Sequence, residues 1–497
     1  MKKKPNIILI LSDDLSLCDL GCYGQEKIQT PHIDRLAAEG MRFAQAYAGT
    51  SICAPSRCSL LTGKHMGHAR IREHGQPVPG GSYQHSLLPE DKTLGDVMQE
   101  AGYKTAAIGK WAVGLPGTEG VPYKKGFDHA FGFYDQIRAH SFYPDYVWRN
   151  ENPVVLSGNI GFDMDGLYRS NSRRFDSDNP DKNTYDEQGR LIAKGVADPS
   201  KVQNTYDLCE QEALQFIKDS AEDPFFLYLA YQNPHGPLIV PSLEPYTDAD
   251  WPSQRHKEWG AIITRMDTGI GRIVELLESL QIDDNTIIMF ASDNGYSAWG
   301  YFGVDRTEEV PFFDHKGPFR GSKFSLDGEA GIRVPFIVSW PGKTSGTISN
   351  QVIAFWDLLP TLADIGGISA SVETDGISFL PTLTGEKQPQ HDYLYFEQGH
   401  QQAVRMGSWK GFRPHPDDET ELYNLETDSS EAQDVAGSHP DTVQMIEKVF
   451  TEARTDSEVF VNPGETEEHH RSKCAKFPAN SFPVQNAYHR KWVEEFE

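Results

Sequence analysis

Cysteine is scarce in this sequence, with six residues in a chain of 497, and none of them shows the paired CxxC spacing of a zinc site. So few cysteines in so long a chain do not form a disulfide framework, and the redox state of the compartment stays open. The sequence also has no apolar stretch near the roughly 20 residues that a membrane-spanning helix needs. We therefore expect a soluble protein.

Positive charge is also in short supply. Lys and Arg together number 46 against 72 Asp and Glu, which gives a formal charge of −26. A surface this acidic repels the phosphates of nucleic acids and of anionic membranes, so we expect neither nucleic acid nor a membrane as a partner. If the substrate is an anion, basic side chains must be concentrated in its pocket, because the overall field opposes its approach.

The remaining composition is ordinary for a globular protein. Hydrophobic residues make up 38% and charged residues 24%, with 44 Gly and 31 Pro, which excludes a disordered, collagen-like or coiled-coil chain. The first residues have a basic head and a short apolar run, but the run ends in Asp13 and Asp14, where a signal peptide needs small residues. We interpret this start as a buried strand.

A secretory signal removed before residue 1 is compatible with that interpretation. The location we expect is periplasmic or secreted, with the cytoplasm as the alternative.

Short apolar runs alternate with amphipathic helical patterns from residue 5 to about residue 385. This alternation predicts an α/β fold, with a large, mostly parallel sheet between layers of helices. The predicted strands are Ile7–Leu11, Tyr103–Ile108, Phe225–Tyr231, Thr286–Ala291 and Arg333–Trp340. The predicted helices begin at Pro31, follow a cap at Thr93, and cover Trp259–Leu280 and Trp356–Ile365.

Two regions differ in character from this pattern. Residues 163–203 are polar and rich in turn formers, and we expect a surface insertion there. Beyond residue 385 the alternation stops, which predicts a large α/β domain over 1–385 and a smaller antiparallel α+β subdomain over 386–497. Its predicted elements are the strands Tyr393–Glu397, Gln402–Met406 and Trp409–Arg413 and the helix Thr442–Ala453, whereas the tail from Asn462 is assigned no element and is expected to lie as a strap on the surface.

Polar side chains follow four of the predicted strands at their carboxyl ends. In an open α/β sheet, such residues meet in one crevice. Taken singly, each has an ordinary interpretation as a turn former, a helix cap or a solvated side chain, but their joint occurrence at one edge of a sheet favours a site. They are Asp13, Asp14, Lys110, His235, Asp293 and Asn294.

The oxygen-bearing members of this set predict a metal ion. Three carboxylates and an amide oxygen would repel one another unless a cation lay among them, and an all-oxygen shell suits Ca²⁺ or Mg²⁺. Ca²⁺ fits better, because it accepts irregular shells rich in ligands.

The most specific local pattern runs from Cys53 to Gly63 and reads Cys-Ala-Pro-Ser-Arg-Cys-Ser-Leu-Leu-Thr-Gly. CxPSR followed by LTG resembles the signature of the type I sulfatases, the formylglycine-dependent family of the alkaline-phosphatase-like superfamily. In that family the first cysteine is oxidised to formylglycine, whose hydrated aldehyde is the nucleophile. The resemblance therefore implies an alkaline-phosphatase-like fold, modification of Cys53, and a formylglycine-generating or other maturing enzyme as a partner.

Elementary chemistry agrees with this assignment. Pro55 suits the first turn of a helix, so Cys53 lies near an amino end, where free N–H groups and the helix dipole stabilise an oxyanion and a bound sulfate. Arg57, one turn further on, can reach back to that oxyanion. An aldehyde hydrate has two hydroxyls, so that one attacks sulfur and the other later expels sulfate. The alternative is a buried structural cysteine beside a helix start.

The resemblance also assigns roles to residues elsewhere in the chain. It implies a calcium shell completed by the modified Cys53, two groups that orient the hydrate, a proton acceptor, and a pair that binds sulfate and protonates the leaving oxygen. The shell matches Asp13, Asp14, Asp293 and Asn294, the orienting groups are Arg57 and Lys110, the acceptor is Asp293, and the pair is His235 and Lys323.

One departure from the family pattern concerns the step that releases sulfate. The family usually reads Gly-Lys-Trp-His-Leu-Gly after the second strand, whereas this chain has Ala112 in place of that histidine. The step then has no assigned base. His140, His68 and His315 are candidates, although each is better explained as a substrate contact or a structural histidine.

The loop from Tyr134 to Trp148 bears on the substrate. Its aromatic and hydrogen-bonding side chains suit a saccharide, and packing of an aromatic-rich loop explains them equally well. The predicted substrate contacts are Arg138, His140, His235 and Lys323.

The overall pattern resembles bacterial carbohydrate sulfatases, so we expect hydrolysis of sulfate esters on galactose or N-acetylgalactosamine units of a polysaccharide. One alternative is a phosphate or phosphonate monoester hydrolase of the same superfamily. Another is a non-catalytic protein that binds sulfated glycans, with Ala112 in place of a base and Cys53 unmodified.

Overall fold

The structure is a computed structural model that describes residues 4–78, 81–136, 138–159, 184–185, 191–193, 201–236, 238, 240–297, 310–368 and 372–477. Its strands, in chain order, are β1 Asn6–Asp13, β2 Met41–Tyr47, β3 Gln76–Val78, β4 Gly81–Tyr83, β5 Lys104–Lys110, β6 His129–Phe133, β7 Tyr146–Arg149, β8 Asn152–Val155, β9 Thr184–Tyr185, β10 Leu191–Ala193, β11 Phe225–Pro234, β12 Thr286–Ser292, β13 Arg333–Ser339, β14 Thr347–Ala354, β15 Leu394–Gln398, β16 Gln401–Met406, β17 Trp409–Arg413 and β18 Glu421–Asn424.

Ten of these strands form one sheet, in the order β14-β2-β13-β12-β1-β11-β5-β6-β7-β8. The five central strands, from β12 to β6, run parallel, and the antiparallel pairs lie toward the two edges. β1 and β11 are buried along their whole length, as expected of parallel strands covered on both faces. The predicted α/β fold with a mostly parallel sheet is confirmed.

Helices cover both faces of the sheet. They are α1 Pro31–Glu39, α2 Cys53–Thr62, α3 Leu94–Glu100, α4 Thr205–Ser220, α5 Gln254–Ser279, α6 Val310–Phe313, α7 Leu358–Gly366, α8 Leu380–Thr384, α9 Pro440–Glu452 and α10 Glu467–Cys474. The predicted cap of α3 is confirmed, since the Thr93 side chain accepts a hydrogen bond from the N–H of Gly95.

Alternate residues of β1 belong to two separate cores. Ile7 and Leu9 pack in the layer of α2, α3 and α7, whereas Ile8 and Ile10 pack in the layer of α1, α4 and α5. Because side chains along a strand point to opposite faces, an unbroken apolar run is what a central strand requires. This double burial fixes the carboxyl end of β1, and Asp13 with it.

The strands β15 to β18 form a separate antiparallel sheet. One face packs under α9, through Tyr395 and Val404 against Ile446 and Phe450. The other face packs against the main sheet and its helices, in a cluster that contains Leu394, Phe396, Tyr47 and Trp356. The predicted small antiparallel sheet is confirmed, and the boundary near residue 386 stays a prediction.

The prediction that the tail from Asn462 holds no element is wrong, because α10 lies within it. Thr466 caps this helix by accepting a hydrogen bond from the N–H of His469 at 3.3 Å. Acidic residues occupy its first turn and basic residues its last turn, which complements the helix dipole. The helix is thus stabilised at its ends, and it has no apolar periodicity that could have revealed it.

The expected polar insertion over 163–203 lies almost wholly outside the described residues. Within it the structure describes the short antiparallel pair of β9 and β10. A search of the helices in the described ranges finds none with the length and apolar character to cross a bilayer.

Candidate active site

The site forms where the amino end of α2 meets the carboxyl ends of the central strands. The helix begins at Cys53, directly after the extended residue Ile52, and all ten of its residues are buried. Gly63 ends it with a φ of 69°, a left-handed conformation that glycine adopts without strain. The N–H groups that a helix leaves unpaired at its amino end are therefore directed into the crevice at Cys53.

Three acidic side chains line this crevice, and each is paired with a basic one. Lys110 Nζ donates to Asp13 Oδ2 at 2.5 Å, and Lys323 Nζ donates to Asp14 Oδ1 at 2.6 Å. Arg57 Nε donates to Asp293 Oδ2 at 2.9 Å. All six side chains are buried, at 0–1% exposure, so the predicted convergence of the strand ends is present in the structure.

Cys53 lies between these pairs. Its thiol donates to Asp13 Oδ1 at 3.3 Å, and Lys323 Nζ donates to the sulfur at 3.2 Å. Burial, together with the charges of Asp13 and Asp293, raises the pKa of the Cys53 thiol well above its ordinary value. An unmodified Cys53 is therefore protonated at neutral pH and is a poor nucleophile.

The acidic residues fit a hard cation. Ligand atoms of Asp13, Asp14, Cys53 and Asp293 all lie within 4.8 Å of one another. Asp14 Oδ2 and Asn294 Oδ1 are buried and have no hydrogen-bond partner among the described residues. Because buried oxygens are seldom left unpaired, these two atoms favour a cation bound in this cluster. The donors present, carboxylate and amide oxygens, suit Ca²⁺.

The surroundings of Asp14 and Asp293 shift the pKa values of these two carboxyl groups in opposite directions. Burial alone would raise the pKa of Asp14, but the charge and the hydrogen bond of Lys323 hold this pKa well below its usual range. Burial and the neighbouring Asp13 raise the pKa of Asp293, against the effect of Arg57. Asp293 is thus the more basic of these two carboxylates, as a proton acceptor requires.

Two histidines stack at the side of this cluster. The rings of His140 and His235 are 4.1 Å apart and within 9° of parallel. His235 Nδ1 lies 2.7 Å from the carbonyl oxygen of Gly236, and its Nε2 lies 3.9 Å from Asp14 Oδ2. Burial, together with Lys323 and Lys110, lowers the pKa of His235 well below its ordinary value, and burial with His235 does the same for His140.

The three candidate replacements for the missing histidine have different partners in the structure. Ala112 is buried with a φ of 68°. His140 contacts His235, whereas His68 pairs with Asp375 and His315 pairs with Asp19. His140 is therefore the candidate that lies in the site, and its role as a base stays a prediction.

Arg138, the other predicted substrate contact in this loop, is engaged within the loop itself. Its guanidinium pairs with Asp145 and lies 4.0 Å from the centre of the Tyr146 ring. These contacts agree with the packing interpretation of the loop, and a substrate role for Arg138 stays a prediction.

His74 was missed by sequence reasoning. It follows α2 in the chain, and burial, with the charges of Lys323 and Lys110, lowers its pKa well below the ordinary value. Its Nδ1 is buried without a hydrogen-bond partner among the described residues. A lone histidine in a loop gives no sequence signal, so only the folded chain reveals its nearness to the lysines.

A second cluster with metal-binding residue types lies elsewhere, at His65, His68 and Asp375. The N–H of Gly67 donates to His65 Nδ1 at 3.1 Å. A neutral His65 therefore carries its proton on Nε2, the atom that faces Asp375. That nitrogen has no lone pair to offer a metal, so this cluster is a hydrogen-bonded contact between the loop that follows α2 and the segment before α8.

Comparison with known proteins identifies the family. The sulfatase family model matches residues 5–368, which is most of the chain. The chain belongs to the sulfatase family. A second model, described as N-sulphoglucosamine sulphohydrolase, C-terminal, matches residues 324–456 of this sulfatase.

Two named relatives align over most of this sulfatase. It is 29% identical over 495 residues to the N-acetylgalactosamine-6-O-sulfatase of Bacteroides thetaiotaomicron, with 91% of this chain and 94% of the relative aligned. It is 31% identical over 433 residues to the N-acetylgalactosamine-6-sulfatase of Homo sapiens, with 82% of this chain and 73% of the relative aligned.

Among solved structures, Ps i-CgsB in complex with k-i-k-neocarrahexaose is 27% identical, with a TM-score of 0.71 over 96% of this chain and 98% of that chain. The predicted family and enzyme class are confirmed: this sulfatase is a sulfuric ester hydrolase.

Proposed function

We propose that this sulfatase hydrolyses sulfate esters of galactose or N-acetylgalactosamine units in a polysaccharide, with a formylglycine at position 53 and Ca²⁺ in the acidic cluster. The observation that carries the proposal is the position of Cys53, at a helix amino end between Asp13 and Lys323. The names of the relatives, N-acetylgalactosamine-6-O-sulfatase and N-acetylgalactosamine-6-sulfatase, support the choice of sugar.

The charges of the site explain how a strongly acidic protein accepts an anionic substrate. Asp13, Asp14 and Asp293 are balanced by Arg57, Lys110 and Lys323, so that three negative and three positive charges leave the cluster near neutrality. A bound Ca²⁺ would supply two further positive charges and polarise the sulfate oxygens. A sulfate monoester anion is then attracted locally, although the whole chain carries −26.

Each residue of the site has its own role in the reaction. The formylglycine hydrate, once formed, supplies the nucleophile. Asp293, whose pKa is raised, accepts a proton from it. Arg57 donates hydrogen bonds to Asp293 and to the carbonyl oxygen of Lys110. These hydrogen bonds fix the position of the Asp293 carboxylate, which accepts the proton. Lys323 lies against Cys53 and holds the sulfate, and His235 protonates the departing sugar oxygen.

The substrate is tested with a panel of defined compounds. We expect sulfate release from 6-sulfated N-acetylgalactosamine or 6-sulfated galactose to exceed that from 4-sulfated N-acetylgalactosamine and 6-sulfated glucosamine. Aryl phosphate serves as the control for a phosphatase. Faster turnover of aryl phosphate than of every sulfate would contradict the proposal, and binding of sulfated saccharides without any release would favour the non-catalytic alternative.

Removal of calcium is expected to abolish turnover reversibly. Three buried carboxylates lose their shared cation, and the two unpaired oxygens of Asp14 and Asn294 are left without a partner. EGTA-treated protein should lose activity and melt at a lower temperature, and Ca²⁺ should restore both properties better than Mg²⁺ does. Full turnover by protein shown to be metal-free by elemental analysis would contradict the metal assignment.

We also propose that a sulfatase-maturing enzyme acts on Cys53 and that the protein works in the periplasm or outside the cell. Co-expression with a formylglycine-generating enzyme should raise the converted fraction of the peptide that contains residue 53, and fractionation of the native host tests the location.

A further inference from the structure

Phe324 stands out among the large apolar side chains. It is 39% exposed, although it directly follows the buried Lys323. Its φ of 71° lies in the left-handed region, where a bulky residue is strained and glycine is preferred. Strain of this kind persists where the surrounding structure enforces it, and it is concentrated at functional sites.

Several hydrogen bonds hold the backbone on both sides of this residue. The N–H of Phe324 donates to the carbonyl oxygen of Ser51, and the N–H of Lys323 donates to that of Tyr296, at 3.2 and 2.6 Å. Gln401, from the C-terminal sheet, donates to the carbonyl oxygen of Phe324 at 3.2 Å and accepts from the N–H of Leu326 at 2.9 Å. Hydrogen bonds to the C-terminal subdomain and to the segment that precedes α2 thus hold the turn at Phe324 in place.

The ring of Phe324 faces the ring of His74. The two rings meet edge to face, with centres 6.1 Å apart, and Lys323 Nζ lies 5.6 Å from the centre of the Phe324 ring. His74 is close enough to Lys323, Lys110, Asp14 and His235 to be affected by their charges. Phe324 and His74 therefore form a wall of the crevice that contains Cys53.

We propose that Phe324 and His74 bind the sugar ring whose sulfate lies at Cys53 and Lys323; this rests on the proposed function. A sulfate ester joins its sulfur to the sugar through a single oxygen, so the ring must emerge beside Lys323, where Phe324 is exposed. The flat aromatic face covers the apolar C–H face of a pyranose. His74, through its unpaired Nδ1, forms a hydrogen bond with a ring substituent. Gln401 positions the backbone that carries Phe324 and does not touch the sugar.

The test measures hydrolysis of 6-sulfated N-acetylgalactosamine and inhibition by inorganic sulfate, which occupies the sulfate pocket alone. Phe324→Ala is expected to raise KM for the sugar sulfate about tenfold, and to weaken inhibition by inorganic sulfate by a much smaller factor. Phe324→Tyr should restore the KM. His74→Ala should raise KM in the same way, and Gln401→Met, which keeps the length but loses the side-chain hydrogen bonds to Phe324, Ser325 and Leu326, should give a smaller increase. The matched control is Met445→Ala, which removes another exposed apolar side chain, 56% exposed on α9.

Comparison of Phe324→Gly with Phe324→Ala separates a binding role from a structural one. Glycine relieves the strain at positive φ, so Phe324→Gly should melt at a higher temperature than Phe324→Ala, while both lose affinity for the sugar sulfate. Equal effects of Phe324→Ala and Met445→Ala on KM, with a wild-type enzyme that hydrolyses the sugar sulfate, would overturn the inference. A wild-type enzyme that hydrolyses no saccharide sulfate would instead overturn the proposed function.

Discussion

Replacement of Cys53 with alanine is expected to lower sulfate release by at least about 10⁴-fold, because loss of a covalent nucleophile removes the whole pathway that depends on it. The site leaves little room for a substitute. The side chains that contact its sulfur are Lys323, Asp13 and Asp14, and both carboxylates are already paired with a lysine. The measurement is sulfate release from a 6-sulfated sugar, together with the melting temperature of the variant.

Cys58 provides a matched control for this experiment. It lies in the same helix, is also fully buried, and has its pKa raised to about 11 by burial. Cys58→Ala creates a similar small cavity but leaves the crevice intact, so it should lower stability and keep most of the turnover. Mass spectrometry of the peptide that contains Cys53 should show the aldehyde in active preparations. Full turnover by protein with an unaltered thiol at this position would falsify the nucleophile assignment.

The sequence predicted the members of the crevice because they lie at the ends of strands. Asp13, Lys110 and Asp293 each end or follow a central parallel strand whose apolar run is unmistakable. Parallel strands align their carboxyl ends at one edge of the sheet, so identification of the strands also brought their terminal side chains together. Lys323 follows no strand, and its place rested on the family resemblance alone.

Other parts of the site could not be predicted because they depend on long loops and on the second sheet. His74 and Phe324 are isolated residues in the chain, and their contact becomes visible only after folding. Gln401 begins a strand of the C-terminal sheet, yet its side chain binds the turn that follows Lys323. No pattern of hydrophobicity records a hydrogen bond between segments so far apart in sequence.

The helix α4 shows a similar limit within the fold. Thr205–Ser220 is capped by Asn204 and packs beside β11, but its start adjoins the polar stretch where we expected an insertion. The polar composition of that stretch masked the whole helix, for which the sequence led to no prediction. Local propensity thus failed where a surface segment runs directly into a helix that is buried along one face.

Replacement of His235 with alanine is expected to lower kcat/KM for a saccharide sulfate by about 10³-fold, within the range of general acid catalysis. A sugar alkoxide is a poor leaving group and needs a proton as the bond to sulfur breaks. A nitrophenolate leaves without that help, so the same variant should lose far less activity on nitrophenyl sulfate. A purely structural defect would lower both activities by the same factor.

The pH dependence of kcat distinguishes these explanations further. In the free protein, burial with Lys323 and Lys110 lowers the pKa of His235, so the ring is neutral at pH 7. A sulfate anion in the pocket offsets the two lysines and favours the protonated ring. The wild-type kcat on a saccharide sulfate should therefore fall as pH rises through the pKa of His235 in the substrate complex, and His235→Ala should lack this decrease. The control is His256→Ala, because His256 is a buried histidine that packs against Phe312 and Phe313. This variant should keep the decrease in kcat. If the decrease persists unchanged in His235→Ala, another group donates the proton.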